Sequence, residues 1–184
     1  MVVQYMSVKP KLYLNLFWHM HQPDYRDVLT GEFVLPWTYL HAIKDYTDMA
    51  HHLEANPAAC ATFNFVPVLL DQLEDYKQQF AEDKIRDPLL ALLAVDNLDQ
   101  ITATQRQLIF ESCFRSNHAK MLAPFIHYQR LLDVFKALVS LEDGTLDYLS
   151  GGYLADLLVW YHLAWTGESV RRSSALVKDL IEKG

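Results

Sequence analysis

Trp18-His19-Met20-His21-Gln22-Pro23 carries the sharpest chemistry in this 184-residue chain. The two imidazoles are spaced i, i+2, and on an extended strand that spacing sends both to one face, together with Asn15 and Phe17. Two imidazoles on one face suit hydrogen bonding to a polar substrate such as a sugar, or holding a metal ion. A metal needs at least a third ligand. The remaining histidines, at positions 41, 51, 52, 118, 127 and 162, form no H-x-H or H-x-x-x-H partner motif. On residues alone three readings stay open: substrate contact, metal binding, and a structural role. Asp24, Asp27 and Glu32 follow closely and read as solvated loop charges.

Those histidines need an element to present them. Leu12 to Trp18, Leu-Tyr-Leu-Asn-Leu-Phe-Trp, is apolar at nearly every position, which predicts a strand buried on both faces as in a parallel sheet. His19 and His21 then stand at its carboxyl end, where parallel α/β architectures gather their active sites. Pro23 removes a ladder donor and stops the strand. Asp24 to Leu35 reads as a loop with a break at Gly31. Pro36 opens a helix whose Leu40, Ile43, Ala50 and Leu53 share helical spacing, ended by Asn56-Pro57. Cys60 to Val66 predicts a second buried strand. Pro67 opens a further helix, with Leu69, Leu73, Tyr76 and Phe80 on one face. Residues 11–80 thus read β-loop-α-β-α, and the βαβ part predicts a parallel pair with a right-handed crossover.

Residues 81–184 read as helical. Pro88 to Val95 is short. Thr102 and Gln105 have capping-box spacing ahead of a helix of about 15 residues. Phe125 to Val139 presents Tyr128, Leu131, Leu132, Phe135 and Leu138 as its core face. Gly144 and Gly151-Gly152 read as breaks, Tyr153 to Trp165 as a dense apolar helix, and Val170 to Lys183 as an amphipathic one. Two strands cannot close a barrel and make a poor open sheet. The expectation is a single incomplete domain over 1–184, with further strands beyond 184. A self-contained helical protein with a small sheet is the rival. Exposed strand edges predict self-association.

Composition narrows the partners. The chain is 51% hydrophobic and 21% charged, with ten Tyr, nine Phe and four Trp, which fits a folded domain rather than a disordered one. Net charge is -7, and the 16 Lys and Arg are dispersed, with Arg171-Arg172 the sole adjacent pair. Phosphate backbones require a concentrated basic footprint, so no nucleic acid partner is expected. Cys60 and Cys113 form no disulfide framework and read as two small buried residues in a reducing compartment. The first residues show no secretory leader, and no run of about 18 apolar residues exists, so no membrane partner is expected and the cytoplasm is the default location.

Phe17-Trp18-His19-Met20-His21-Gln22-Pro23 also resembles the first sequence motif of glycoside hydrolase family 57. Later stretches match the same pattern in order: Leu35-Pro36-Trp37 with Leu40-His41-Ala42-Ile43-Lys44-Asp45-Tyr46, then Thr62-Phe63-Asn64-Phe65-Val66-Pro67, then Asp71-Gln72-Leu73-Glu74-Asp75-Tyr76. Asp156 to Trp165 resembles the family's aromatic helix, with Leu158 where the family often has Gln and His162 where it often has Asn. The likeness runs from about residue 11 to 165.

The resemblance implies an α/β fold, the N-terminal portion of an incomplete (β/α)7 barrel: two parallel strands followed by a mainly helical segment. It implies action on α-glucans (starch, glycogen, maltooligosaccharides) as an amylase, glucanotransferase or branching enzyme. The chemistry is retaining, with a Glu nucleophile and an Asp acid/base, and no cofactor or metal is required. His19 and His21 become substrate-binding residues, followed by Gln22, with Trp37 and Asn64 as further candidates. The family's catalytic carboxylates lie on later strands, so no catalytic residue is expected within 1–184, and this chain alone is expected to be inactive. Two other readings remain: a non-catalytic carbohydrate-binding or regulatory module, and a metal-dependent hydrolase built on His19 and His21. Trp37 and Trp165 suit either sugar stacking or core packing, and Asn64 either site support or a purely local role. His51-His52 reads as a solvated helix face.

Overall fold

The structure, a computed structural model, describes residues 11–141 and 144–184. The reading of the first ten residues lies outside them. Phe17–Met20 (β1) and Thr62–Phe65 (β2) form a two-stranded parallel sheet in which His19 lies opposite Asn64. Apart from an isolated bridge between Arg26 and Phe33, the other regular elements among the described residues are helical, so the chain is α/β with two parallel strands and a mainly helical remainder.

The strand is shorter and barer than its apolar run predicts. Residues 11–16 are not in a strand, and Leu12 and Leu14 are 95% and 82% exposed. Only Met20 of β1 is buried, and Phe17 and Phe65 are exposed. The physical reason is that a two-stranded ladder has no neighbour to cover its faces. Trp18 and Phe63 cover each other, edge to face at 4.9 Å. Cys60, expected to be buried, lies exposed just ahead of β2, whereas Cys113 is buried.

Between the strands, Trp37–His41 (α1), a π-helical turn Ala42–Tyr46 and Thr47–Ala55 (α2) follow one another without a break. Pro36 caps α1 rather than occupying its first turn. α1 buries Thr38, Tyr39 and Leu40; α2 buries nothing, and His51 and His52 are exposed. After β2, Pro67–Glu82 (α3) starts at Pro67 as expected, but its buried face is Leu69, Gln72, Tyr76 and Gln79. Phe80 is 62% exposed. Two glutamines hold that face because each is hydrogen-bonded on arrival: Gln79 donates to Asp75 and accepts from the Arg86 N–H, and Gln72 uses its whole amide, as described below.

The core is built on Gly151–Trp165 (α7), which buries nine residues including Leu154, Leu157 and Leu158. Each such leucine contributes about 1.5–3 kcal/mol of burial. Ala103–Cys113 (α5, after the short Pro88–Ala91, α4) and Ile126–Val139 (α6) pack against it. The Thr102–Gln105 capping box forms in both directions, over a helix of 11 residues. Gly151 and Gly152 open α7 rather than breaking the chain. Ser150 caps that helix, and a Cβ on Gly151 would meet the Asp99 backbone N at 2.5 Å. Gly144 is the turn expected, at φ +86°. The predicted last helix is divided at Ser174 into Glu168–Ser173 (α8) and Ala175–Lys183 (α9), because Ser174 is extended and its hydroxyl caps α9. Among the described residues, no helix is long and apolar enough to cross a membrane.

Candidate functional site

His19 and His21 lie where β1 ends, with ring centroids 5.7 Å apart. His19 Nδ1 is 2.6 Å from Asn64 Oδ1, directly across the ladder. A carbonyl oxygen only accepts, so Nδ1 carries the proton and Nε2 is left as an acceptor. Both histidines are exposed, which leaves their free ring edges open to a ligand. The β-ladder register thus sets the His19 tautomer, a device used wherever an imidazole must present one defined nitrogen.

The Gln22 amide is engaged at both its atoms. It is partly buried and links two tyrosines: its Oε1 accepts from the Tyr25 hydroxyl (2.8 Å) and its Nε2 donates to the Tyr46 hydroxyl (3.2 Å). The backbone just beyond it is fixed by Gln72, which is fully buried. Gln72 Oε1 accepts from Tyr25 N–H and the Thr38 hydroxyl, and its Nε2 donates to the Pro23 and Val68 carbonyls. Both lone pairs and both N–H bonds are used.

Two of the three acidic residues read as solvated loop charges, Asp24 and Asp27, are also parts of the loop's framework. Arg26 binds Asp24, Asp71 (2.5 Å) and Asp75 (3.1 Å), and Arg86 joins at Asp75. The Arg26 guanidinium holds the Asp24 carboxyl below its usual range. Asp27 accepts from Leu29 N–H, Thr30 N–H and the Thr30 hydroxyl, closing its own turn. Glu32 is exposed. A cleft of about 290 Å³ opens beside this loop, lined by Thr30, Val34, Pro36, Asp87 and Leu108 among others; neither histidine lines it. Among the described residues, no group of three His, Cys, Asp or Glu is placed to share a metal ion.

Trp37 is half-buried. It lies 5.8 Å from Trp165, and the Arg115 guanidinium is 5.9 Å from its ring centre. Trp165 itself is 7% exposed and belongs to the core. Sequence reasoning quoted His41, Asp45 and Tyr46 within a family-like stretch but assigned no site role to them or to Tyr25. His41 Nδ1 is 2.5 Å from Asp45 Oδ2, and Lys44 reaches the other oxygen at 2.6 Å. The i, i+4 spacing of His41 and Asp45 in a helical stretch was the available signal. The tie from Tyr46 back to Gln22 exists only in three dimensions.

The glycosyl hydrolase family 57 model matches residues 15–183, nearly the whole chain. The chain belongs to that family. Compared with curated proteins and with solved structures, it matches none. Within this family 57 chain, the two positions that depart from the familiar pattern belong to one buried arrangement. His162 Nδ1 donates to the Leu158 carbonyl at 2.7 Å, and the Tyr39 hydroxyl donates to His162 Nε2 at 2.8 Å. The rings of Tyr39 and His162 stack at 5.8 Å. Burial pushes His162 down to about 4, so it is neutral at physiological pH. It serves packing between α1 and α7.

Proposed function

We propose that this chain is the α-glucan-contacting part of a retaining glycoside hydrolase or glucanotransferase. The observation that carries this is the His19–Asn64 bond at the end of β1, in a chain whose family acts on glycosidic bonds. With Nδ1–H held, His19 Nε2 accepts from a sugar hydroxyl, and the His21 ring beside it offers a second contact. A hydroxyl so held becomes a better partner as oxocarbenium character grows on the ring, so part of the interaction is expressed only in the transition state. In this reading β1 and β2 are the first strands of an incomplete (β/α)7 barrel. Helices α4 to α9 are its helical additions, and residues 1–184 are one incomplete domain. No carboxylate of the chain is assigned to catalysis. Asp24, Asp71 and Asp75 are engaged by Arg26 and Arg86, and Asp45 by His41 and Lys44.

The test is calorimetric titration of residues 1–184 with maltoheptaose. Binding is expected, with His19→Ala weakening it roughly tenfold, the value of one hydrogen bond of about 1.4 kcal/mol. Asn64→Ala, which frees the ring without removing it, is expected to weaken it less. No heat from the wild-type chain sinks the proposal. Steady release of reducing sugar by the chain would overturn the assignment of no catalytic carboxylate.

A further inference from the structure

His41 stands out once the polar groups are accounted for. Its Nδ1 faces a carboxylate that is itself well prepared: the hydrogen bond from His41, then burial working against it, then Lys44, bring Asp45 down to about 2. A carboxylate ionised at neutral pH only accepts, so the His41 Nδ1 is the donor and the ring is oriented by it. The other nitrogen, Nε2, makes no hydrogen bond to any described residue and is not among the buried polar atoms left without a partner. The side chain is 31% exposed. The ring is nonetheless held, lying edge-on to Trp165 at 5.3 Å and beside Tyr46 at 6.2 Å. This is a rigid imidazole with one nitrogen anchored and the other turned to solvent.

Its position adds to this. His41 leads into the π-helical turn Ala42–Tyr46, and such turns recur at functional positions because the inserted residue realigns side chains. The turn is held by contacts from outside its own ladder: Thr47 Oγ1 donates to the Ala42 carbonyl, and Gly167 N–H to the Ile43 carbonyl. Its last residue, Tyr46, is the acceptor for Gln22, the residue that follows His21. The turn that orients His41 is therefore bonded to the segment that carries the two strand-end histidines.

We propose that His41 is a third glucan-contacting imidazole, whose Nε2 hydrogen-bonds a hydroxyl of the same glucan chain that His19 and His21 contact. Asp45 is its positioning residue. The inference rests on the glucan reading above and extends it from the strand end to the α1 face.

The experiment is a titration of ¹⁵N-labelled residues 1–184 with maltoheptaose, following the imidazole nitrogens, alongside calorimetry on His41→Gln and His41→Ala. Movement of the His41 Nε2 resonance on saturation is expected, with affinity roughly tenfold weaker in His41→Ala. A purely structural His41 would leave the Nε2 resonance still on adding maltoheptaose. If the wild-type chain binds, His19→Ala weakens binding, and His41 Nε2 does not move, then the His41 inference is overturned while the glucan reading stands. If the wild-type chain binds nothing, both fall. Should His41→Ala fail to fold, the wild-type nitrogen spectrum and His41→Gln decide the matter alone.

Discussion

Lowering the pH from 7 to 4.5 should destabilise this chain through His162. The unfolded imidazole titrates near 6.5, while the folded one is held down to about 4 by burial, against the Leu158 carbonyl that favours the charged form. As pH falls through 6.5 the unfolded chain takes up a proton that the folded chain refuses. Stability due to this group is therefore intact above 6.5, falls between 6.5 and 4, and is level again below 4. Linkage over that interval gives roughly 2 kcal/mol between pH 7 and 4.5. His162 is not wholly buried, so the loss should fall at or somewhat below that figure. With a urea slope of about 1–3 kcal/mol per molar, the midpoint moves by roughly 1 M. The control is His162→Asn, which removes the titrating group. Its absolute stability drops because the Tyr39 hydroxyl loses its acceptor, but its midpoint should change far less with pH. The measurement is urea unfolding of both proteins at pH 7.0 and 4.5. Equal pH-dependent shifts in the two proteins would refute the assignment of a neutral buried His162.

Two further outcomes can be checked in the same assay. Gln72→Leu keeps the volume of the side chain but strands Tyr25 N–H, the Thr38 hydroxyl and the Pro23 carbonyl, and a loss of about 3 kcal/mol is expected; a loss under about 1 kcal/mol would show those groups re-solvate freely. Asp48 caps α8 from the far side of the chain, accepting from Glu168 N–H, Ser169 N–H and the Ser169 hydroxyl, so Asp48→Ala should cost about 1 kcal/mol, and an unchanged midpoint would mean that α8 frays without consequence.

What was legible in the sequence was what short-range chemistry decides. The Thr102–Gln105 capping box needs only two residues three apart, and both of its bonds form. The apolar density of Tyr153 to Trp165 marked the helix that became the centre of the core. The α3 face was misread because a hydrophobic pattern treats glutamine as an outward residue. Gln72 is inward on the strength of partners 34 to 49 positions away, which no local pattern contains. Gly151 was misread for a related reason: its lack of a side chain serves an approach to Asp99, not a turn. His19 and His21 were legible from i, i+2 spacing alone. His41 stood in a stretch matching the family pattern but was given no role, since its tie to the strand-end histidines runs through Tyr46 and Gln22.

That tie changes what can be said to position the strand-end histidines. A four-residue β1 with one buried side chain is a weak frame: its own Phe17 is exposed, and Leu12 and Leu14 ahead of it are almost wholly so. The firm attachments come just after it, where Gln72 on α3 grips Pro23 and Tyr25, and Tyr46 on the π turn grips Gln22. The strand end is thus clamped from both sides by helices that are themselves seated on the α7 core. The exposed apolar strand residues form a surface of the kind that folded chains normally cover. Under the proposed reading the remaining barrel supplies that cover, and the clamp explains how the sugar-facing end keeps its geometry independently of it. The frame of the site is the loop and helix polar network, and the sheet contributes the one bond, His19 to Asn64, that chooses a tautomer.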